Sequence, residues 1–301
     1  METEVNQSGE PESSKTYVFY HSKDYDGIAS GEVCRYFLNK QGIEPIMIGF
    51  DYGETLAATP NANDIVYLVD LSAKELMDHP NLIWIDHHIS AIMEYGQRLP
   101  LGYRIDGVAA CRLCWQWFTE NKNLPSKYHY VERHVMEPYL LTLLGEYDIW
   151  DKHDSNAEYL QLGLKKAEKD FDFQKFFRDY DENRNNNFDR ILELCGDGRT
   201  IQQYLEARDA ELMQTMAFDR SFEGLRVKCY NGRGNSITFK IFDENDDVDC
   251  YCMFYFNGNQ YKYSLYHHPK HTDYDLSMIA KKYGGGGHKG ACGFETENLI
   301  L

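Results

Sequence analysis

Positive charge and long apolar runs are the two things this 301-residue chain has little of. It carries 31 Lys and Arg against 48 Asp and Glu, for a net charge of -17. That argues against tight, sequence-independent binding of long nucleic acid, which needs a broad basic face. It leaves room for a small anion, because bound metal ions and a few local cations invert the field where they sit. No stretch is apolar for long enough to span a membrane. The opening residues, METEVNQSGEPESSK, are polar and acidic, the opposite of a basic start followed by an apolar core, and residues 1–15 read as a disordered N-terminus. A disulfide framework is missing too. Cys34, Cys111, Cys114, Cys195, Cys229, Cys250, Cys252 and Cys292 are scattered, so the expectation is a reduced, cytoplasmic protein with free thiols. Cys111 and Cys114 form a CxxC without a second one, inside the apolar run ACRLCWQWF. They read as small core residues rather than a zinc or redox pair. Internal repeats are absent.

What is present suffices for real cores: 43% of the residues are hydrophobic, and the length suits one large domain or two ordinary ones. Four apolar runs, YVFY (17–20), PIMIGF (45–50), IVYLV (65–69) and LIWI (82–85), are strand-length and do not strictly alternate, as strands buried on both faces read. IASGEVCRYFLNKQG between the first two reads as a helix with a glycine stop. The order predicts an α/β fold with a mostly parallel, doubly wound sheet over 16–164. VAACRLCWQWF and VERHVMEPYLLTLLGEYDIW read as helices, residues 165–220 as a charged helical connector, and NRNNN (183–187) as a loop within it. From 221 to 301 a smaller α/β domain is expected across a cleft, with strands LRVKCYN, VDCYCMFYFN and YKYSLYHH. The last two would be joined at Gly258-Asn259, followed by helix DLSMIAKKYG with Asp275 as N-cap.

Open parallel sheets bind ligands beyond the carboxyl ends of their strands. Here the first run leads into His21, Asp24 and Asp26, the third into Asp70, and the fourth into Asp86, His87 and His88. Four carboxylates and three imidazoles on one edge repel one another unless cations hold them together. Mixed His and carboxylate donors favour Mn²⁺ over Ca²⁺, and one Asp free to bridge allows a pair of ions. Asp24-x-Asp26-Gly27 is not an EF-hand loop, because its glycine comes early and Arg35 stands where a Glu is required. GGGGHKGACGF (284–294) could be a linker. Its place between a helix and a final strand favours an anion cradle, with backbone N–H groups of Gly285, Gly286 and Gly287 open to approach and His288 and Lys289 beside them.

Five of these segments, in order, resemble the motifs of the DHH phosphoesterases: HSKDYDG (21–27), VDLS (69–72), IDHH (85–88), GEYDIWD (145–151) and, for the DHH-associated C-terminal domain, GGGGHKGACGF. The resemblance spans roughly residues 17–151 and 222–294. It implies that His21 and Asp24 bind a first metal, that Asp26, His87 and Asp148 bind a second, and that Asp70 bridges. Asp86 would orient His87, and His88 would contact the scissile phosphate. Asp151 would be a helix cap or a group behind the ligands. One departure stands out: nanoRNA-type members carry an Arg where this chain has Tyr266, in YSLYHH, and Tyr266 could stack on a base instead.

Together these readings predict an Mn²⁺-dependent phosphodiesterase, using two divalent ions to hydrolyse short RNA or DNA oligonucleotides or dinucleotides to nucleoside 5′-monophosphates. The alternatives are a phosphoanhydride hydrolase acting on polyphosphate or pyrophosphate, and a nucleotide-binding module without activity. RecJ-like members resemble this chain in motifs but are longer. The connector offers a surface for a homodimer, although a solvated charged face is the commoner meaning of such a stretch.

Overall fold

The computed structural model describes residues 14–98, 100–119, 136–151, 153–167, 170–234, 236–243 and 247–301. The chain divides into two compact units between Arg199 and Thr200. Among the described residues no helix is long and apolar enough to cross a membrane. Most of the N-terminus expected to be disordered lies outside the described residues. Ser14 and Lys15 are hydrogen-bonded to Asn63 and Asp64.

The first unit holds a four-stranded sheet of β1 (Thr16–His21), β2 (Ile46–Phe50), β3 (Ile65–Val69) and β4 (Leu82–Ile85). Every pairing is parallel, in the order β2-β1-β3-β4. Both faces are covered, which is why the runs do not alternate. Val18, Tyr67, Val69 and Ile85 pack on one side against a core that includes Ala29 and Val33 of α1 (Tyr25–Lys40), Leu113 and Trp115 of α3 (Ala110–Thr119), and Leu140 and Leu144 of α4 (Tyr139–Asp148). Phe19, Val66, Leu68 and Trp84 pack on the other with Leu71, Met77 and Ala91 of α2 (Ile89–Tyr95). Full burial of such a side chain contributes roughly 1.5–3 kcal/mol. The strand order runs out from β1 in both directions, so the β1/β3 boundary is the switch point at which open sheets form a crevice. Helix α1 begins on an N-cap, with Asp24 Oδ1 accepting from Gly27 N, and stops at Gly42, whose φ is +76°. Helix α4 starts only after Pro138. The part of its expected span at 131–135 lies outside the described residues.

Helices α5 (Asn156–Ala167), α6 (Phe173–Glu182) and α7 (Arg184–Met216) follow. The loop expected at 183–187 shrinks to Asn183, and α7 begins at once. The Asn187 amide explains part of this, because it is buried and donates to Phe176 O at 2.9 Å, which anchors a polar residue within the helix. The connector also ends earlier than its charge pattern suggests. Residues Ala217–Phe222 form β5, paired antiparallel with β6 (Leu225–Asn231). The turn at Glu223-Gly224 has φ of +51° and +82°, the double positive φ of a tight hairpin.

The second unit holds a six-stranded mixed sheet that ends in β9 (Gly286–His288) and β10 (Ala291–Thr296), in the order β5-β6-β7-β8-β10-β9. Strands β7 (Cys250–Phe256) and β8 (Tyr261–His267) join across the expected turn. There Asn257 Oδ1 accepts from Asn259 N and Gln260 N. Helix α8 (Leu276–Lys282) is capped by Asp275, which accepts from Ser277 N and Oγ. It packs over a core of Val227, Cys252, Tyr263, Leu265 and Phe294. All eight cysteines are buried free thiols, Cys111 and Cys114 among them as core residues of α3.

Candidate metal centre

The carboxyl ends of β1, β3 and β4 bring His21, Asp70, Asp86, His87 and His88 to one edge, and α1 adds Asp24 and Asp26 there. Gly27 makes the approach possible: a Cβ at this position would stand 2.2 Å from the His21 carbonyl oxygen. Asp148 arrives from the last turn of α4.

Asp70 is buried and has φ of +60°, a conformation costly for a non-glycine residue and typical of functional positions. Its backbone N–H donates to Ile85 O, and its two oxygens face different imidazoles. Oδ2 lies 3.6 Å from His21 Nδ1, while Oδ1 lies 3.4 Å from His87 Nε2. Around the first ring, Asp24 Oδ2 is 2.9 Å from His21 Nδ1. Around the second, Asp148 Oδ2 is 3.1 Å and Asp26 Oδ2 is 3.6 Å from His87 Nε2. Asp26 is fixed by the start of α3, its carboxylate accepting from Ala110 N and Cys111 N.

Close as they are, several of these atoms have no hydrogen-bond partner. His21 Nδ1, Asp70 Oδ1, His87 Nε2 and Asp148 Oδ2 are all buried and unsatisfied. A buried polar atom left unpaired costs about 1–3 kcal/mol, so four around two small spaces indicate missing partners. Two groups of donor atoms, His21 with Asp24 and Asp70, and Asp26 with His87 and Asp148, are each tight enough to hold a metal ion, and Asp70 with His87 and His88 forms a third overlapping set. The donor chemistry, mixed imidazole and carboxylate, fits a transition-metal or magnesium-like divalent cation.

Electrostatics say the same. Burial, together with Asp70 and Asp148, pushes the Asp26 carboxyl well above the ordinary range. Burial works against charge on His87, yet Asp148, Asp70 and Asp26 outweigh it and carry the ring up to about 12. His21 goes up to about 11 for the same reason, with Asp24 and Asp70 overcoming burial. Each pocket holds excess negative charge and takes up a proton where a cation could sit.

Asp86 departs from its expected role. It serves His88 rather than the His87 ring: Oδ1 is 2.8 Å from His88 Nδ1 and accepts from the backbone N–H of His87 and His88. The turn after β4 folds the carboxylate back over its own following amides, where the His88 ring is the one within reach. Asp151 pairs with His153 at 2.9 Å and belongs to none of the donor groups.

Sequence reasoning missed Asp51. Its Oδ1 lies 3.2 Å from His21 Nε2, and the neighbouring Tyr52 ring stands 5.9 Å from the His21 ring. The signal was there, since Asp51 follows the end of β2 just as Asp70 follows β3.

In the second unit, Gly286–His288 form a short edge strand, β9, paired with β10 (Ala291–Thr296), so the glycine run is a hairpin. Its glycines are already needed for packing. A Cβ at Gly285 would lie 2.1 Å from Gly293 O, and one at Gly287 2.6 Å from Cys292 Cα. His288 and Lys289 are exposed. Tyr266, opposite Ala291 on β8, packs partly buried against the cluster of Tyr230, Phe239, Tyr251 and Met253.

No family model matches the chain, and no curated protein matches it. Among solved structures it is similar to the pGpG-specific phosphodiesterase PggH from Vibrio cholerae, at 14% identity over 94% of this chain and 93% of that one, with a TM-score of 0.46. An exopolyphosphatase-related protein from Bacteroides fragilis matches at 13% identity over 95% and 88% of the two chains, TM-score 0.44. RecJ from Thermus thermophilus, in complex with Mn²⁺, matches at 13% identity over 93% of this chain and 49% of that one, TM-score 0.43. Likenesses this distant assign no role to any residue. The resemblance to the DHH phosphoesterases rests on the motifs.

Proposed function

We propose that the protein is a metal-dependent phosphodiesterase that hydrolyses short oligonucleotides or dinucleotides to nucleoside 5′-monophosphates. The observation that carries this reading is the pair of neighbouring donor groups with unsatisfied atoms, His21 with Asp24 and Asp70, and Asp26 with His87 and Asp148, between which Asp70 stands with Oδ1 3.4 Å from His87 Nε2. His21, Asp24 and Asp70 would hold one divalent cation, and Asp26, His87, Asp148 and Asp70 a second, with Mn²⁺ favoured by the donor set. Cations bound there acidify water towards neutral pH and draw charge from phosphoryl oxygens.

The chain's own residues supply the rest. Asp86 accepts the Nδ1 proton of His88 and holds the ring at a fixed angle, with its side chain 29% exposed. Burial works against charge on His88, but Asp86 and Asp70 outweigh it and raise the His88 pKa, which favours the imidazolium, the form whose Nε2–H can donate to a phosphate oxygen. The amides that anchor Asp26 and Asp86 and the cap that anchors Asp24 hold the carboxylates in place before any ligand arrives, so little reorganisation is needed. The exposed His288 and Lys289 of the glycine hairpin in the second unit are suited to bind a phosphate group. Support for a short substrate comes from the net charge of -17, which disfavours long polyanions.

A hydrolysis panel tests this, run with Mn²⁺ and with EDTA, with Asp70→Ala alongside. The substrates are a 5′-phosphorylated RNA dinucleotide, a longer RNA, single-stranded DNA, a cyclic dinucleotide and polyphosphate. The expected result is metal-dependent cleavage of the dinucleotide that fades with chain length. Cleavage of polyphosphate alone would replace this reading with phosphoanhydride hydrolysis.

A further inference from the structure

We infer that Asp51 is a positioning residue: it holds the proton of His21 on Nε2, keeps Nδ1 bare, and thereby sets the affinity of the cation position formed by His21, Asp24 and Asp70. The inference rests on the metal-centre reading above and adds to it a residue outside the motifs.

Asp51 is held as firmly as the groups it would serve. The loops after β1 and β2 are tied by Ser22 N donating to Phe50 O at 3.2 Å. Asp51 N donates to Glu54 Oε2 at 3.0 Å, and Glu54 Oε1 pairs with Lys23 Nζ at 3.2 Å, closing the loop back onto the segment between His21 and Asp24. Asp51 Oδ1 accepts from Tyr52 N at 2.8 Å, which fixes the carboxylate beside the ring. The same oxygen lies 3.2 Å from His21 Nε2, with the His21 side chain 14% exposed and that of Asp51 34%.

A carboxylate can only accept, so the shared proton belongs to Nε2. When a cation takes the place of the proton that this space otherwise draws, the ring is neutral with its remaining proton on Nε2, and Nδ1 is an acceptor beside Asp24 Oδ2, 2.9 Å away, and Asp70 Oδ2, 3.6 Å away. Neither approach makes a hydrogen bond, and Nδ1 is buried. Three acceptors facing one space need a cation. If Asp51 were lost, the ring could carry its proton on Nδ1 and donate it to Asp24, which would close that space. Carboxylates that orient ligating histidines typically contribute 10–100-fold to metal affinity.

The test is calorimetric titration of the full-length protein with Mn²⁺ and with Zn²⁺, for wild type, Asp51→Ala and Asp51→Asn. The tautomer of His21 is read in parallel by long-range ¹H–¹⁵N NMR of the Zn²⁺-loaded protein. The wild type is expected to bind two ions, with His21 protonated on Nε2. Asp51→Ala should weaken one of the two by roughly 10–100-fold, leave the other nearly unchanged, and lose the single Nε2–H signature. Asp51→Asn keeps an acceptor oxygen without the charge, so it should fall between them. It also serves as the working variant if Asp51→Ala fails to fold by circular dichroism. Unchanged affinities together with an unchanged His21 tautomer in both variants would overturn the inference while leaving the metal centre standing. A wild type that binds neither ion would overturn both, and only that result touches the metal-centre reading.

Discussion

The carboxyl edge of the first sheet and the glycine hairpin of the second unit carry the two densest motifs of the chain, and they are built on opposite principles. At the first, side chains are brought together and left unsatisfied: His21 Nδ1, His87 Nε2, Asp70 Oδ1 and Asp148 Oδ2 are buried without partners. At the second, the side chains are missing so that backbone can meet backbone, as at Gly285 against Gly293 and Gly287 against Cys292. Unsatisfied donor atoms advertise a ligand, because their cost is recovered only when something binds. Close-packed glycines advertise geometry, which serves the fold whether or not an anion is also held. The chemistry of the protein can therefore be argued more firmly from the first region than from the second.

The largest effect that can break this comparison is removal of Asp70. Asp70→Ala removes an oxygen 3.6 Å from His21 Nδ1 and another 3.4 Å from His87 Nε2, so hydrolysis should fall by at least about 10²–10³-fold. Calorimetry should find both cation positions weakened. Asp148→Ala should weaken one and spare the other.

Metal removal comes next. Saturating Mn²⁺ at about 100 times its Kd should stabilise the native protein by roughly 2.7 kcal/mol for each independent ion. EDTA should therefore lower the apparent Tm in differential scanning fluorimetry, and the difference should vanish in Asp70→Ala. A Tm indifferent to metal would place the unsatisfied atoms outside any cation site.

Two glycine substitutions sharpen the contrast. Gly27→Ala puts a Cβ 2.2 Å from His21 O, so it should destabilise by about 1–3 kcal/mol and also weaken metal binding by displacing His21. Gly287→Ala forces a side chain onto φ of +132° and against Cys292. It should cost a similar amount in urea unfolding while leaving metal affinity untouched and, if the hairpin holds an anion, weakening inorganic phosphate binding. If Gly287→Ala changed stability alone, the hairpin would be a packing device only.

How much of this was legible before the structure depends on what carried the information. The strands were readable because both faces are buried and the runs are nearly continuous. The ligand edge was readable because His21 ends β1, Asp70 directly follows β3 and His87 comes two residues after β4. Asp51 was overlooked although it obeys the same rule, because a single Asp after β2 belongs to no recognised motif. The partner of Asp86 depends on how the chain turns after β4, and the φ of Asp70 is a backbone property, so neither appears in residue types. β5 was hidden because its exposed residues, Asp219, Arg220 and Ser221, continue the polar texture of α7. The Glu223-Gly224 turn was its only local mark.

The smallest effect concerns the CxxC. Cys114→Ala should cost about 1 kcal/mol as an ordinary core truncation and leave metal content by elemental analysis unchanged, since neither Cys111 nor Cys114 belongs to a donor group.

The central claim is that Asp70 lies between two cation positions. Anomalous diffraction from Mn²⁺-soaked crystals tests it most directly. Two manganese peaks about 3.5–4 Å apart, one beside His21 and Asp24 and the other beside Asp26, His87 and Asp148, with one Asp70 oxygen or its whole carboxylate between them, is the predicted result. A single peak away from Asp70, or no peak at this edge in crystals that bind manganese elsewhere, would contradict it.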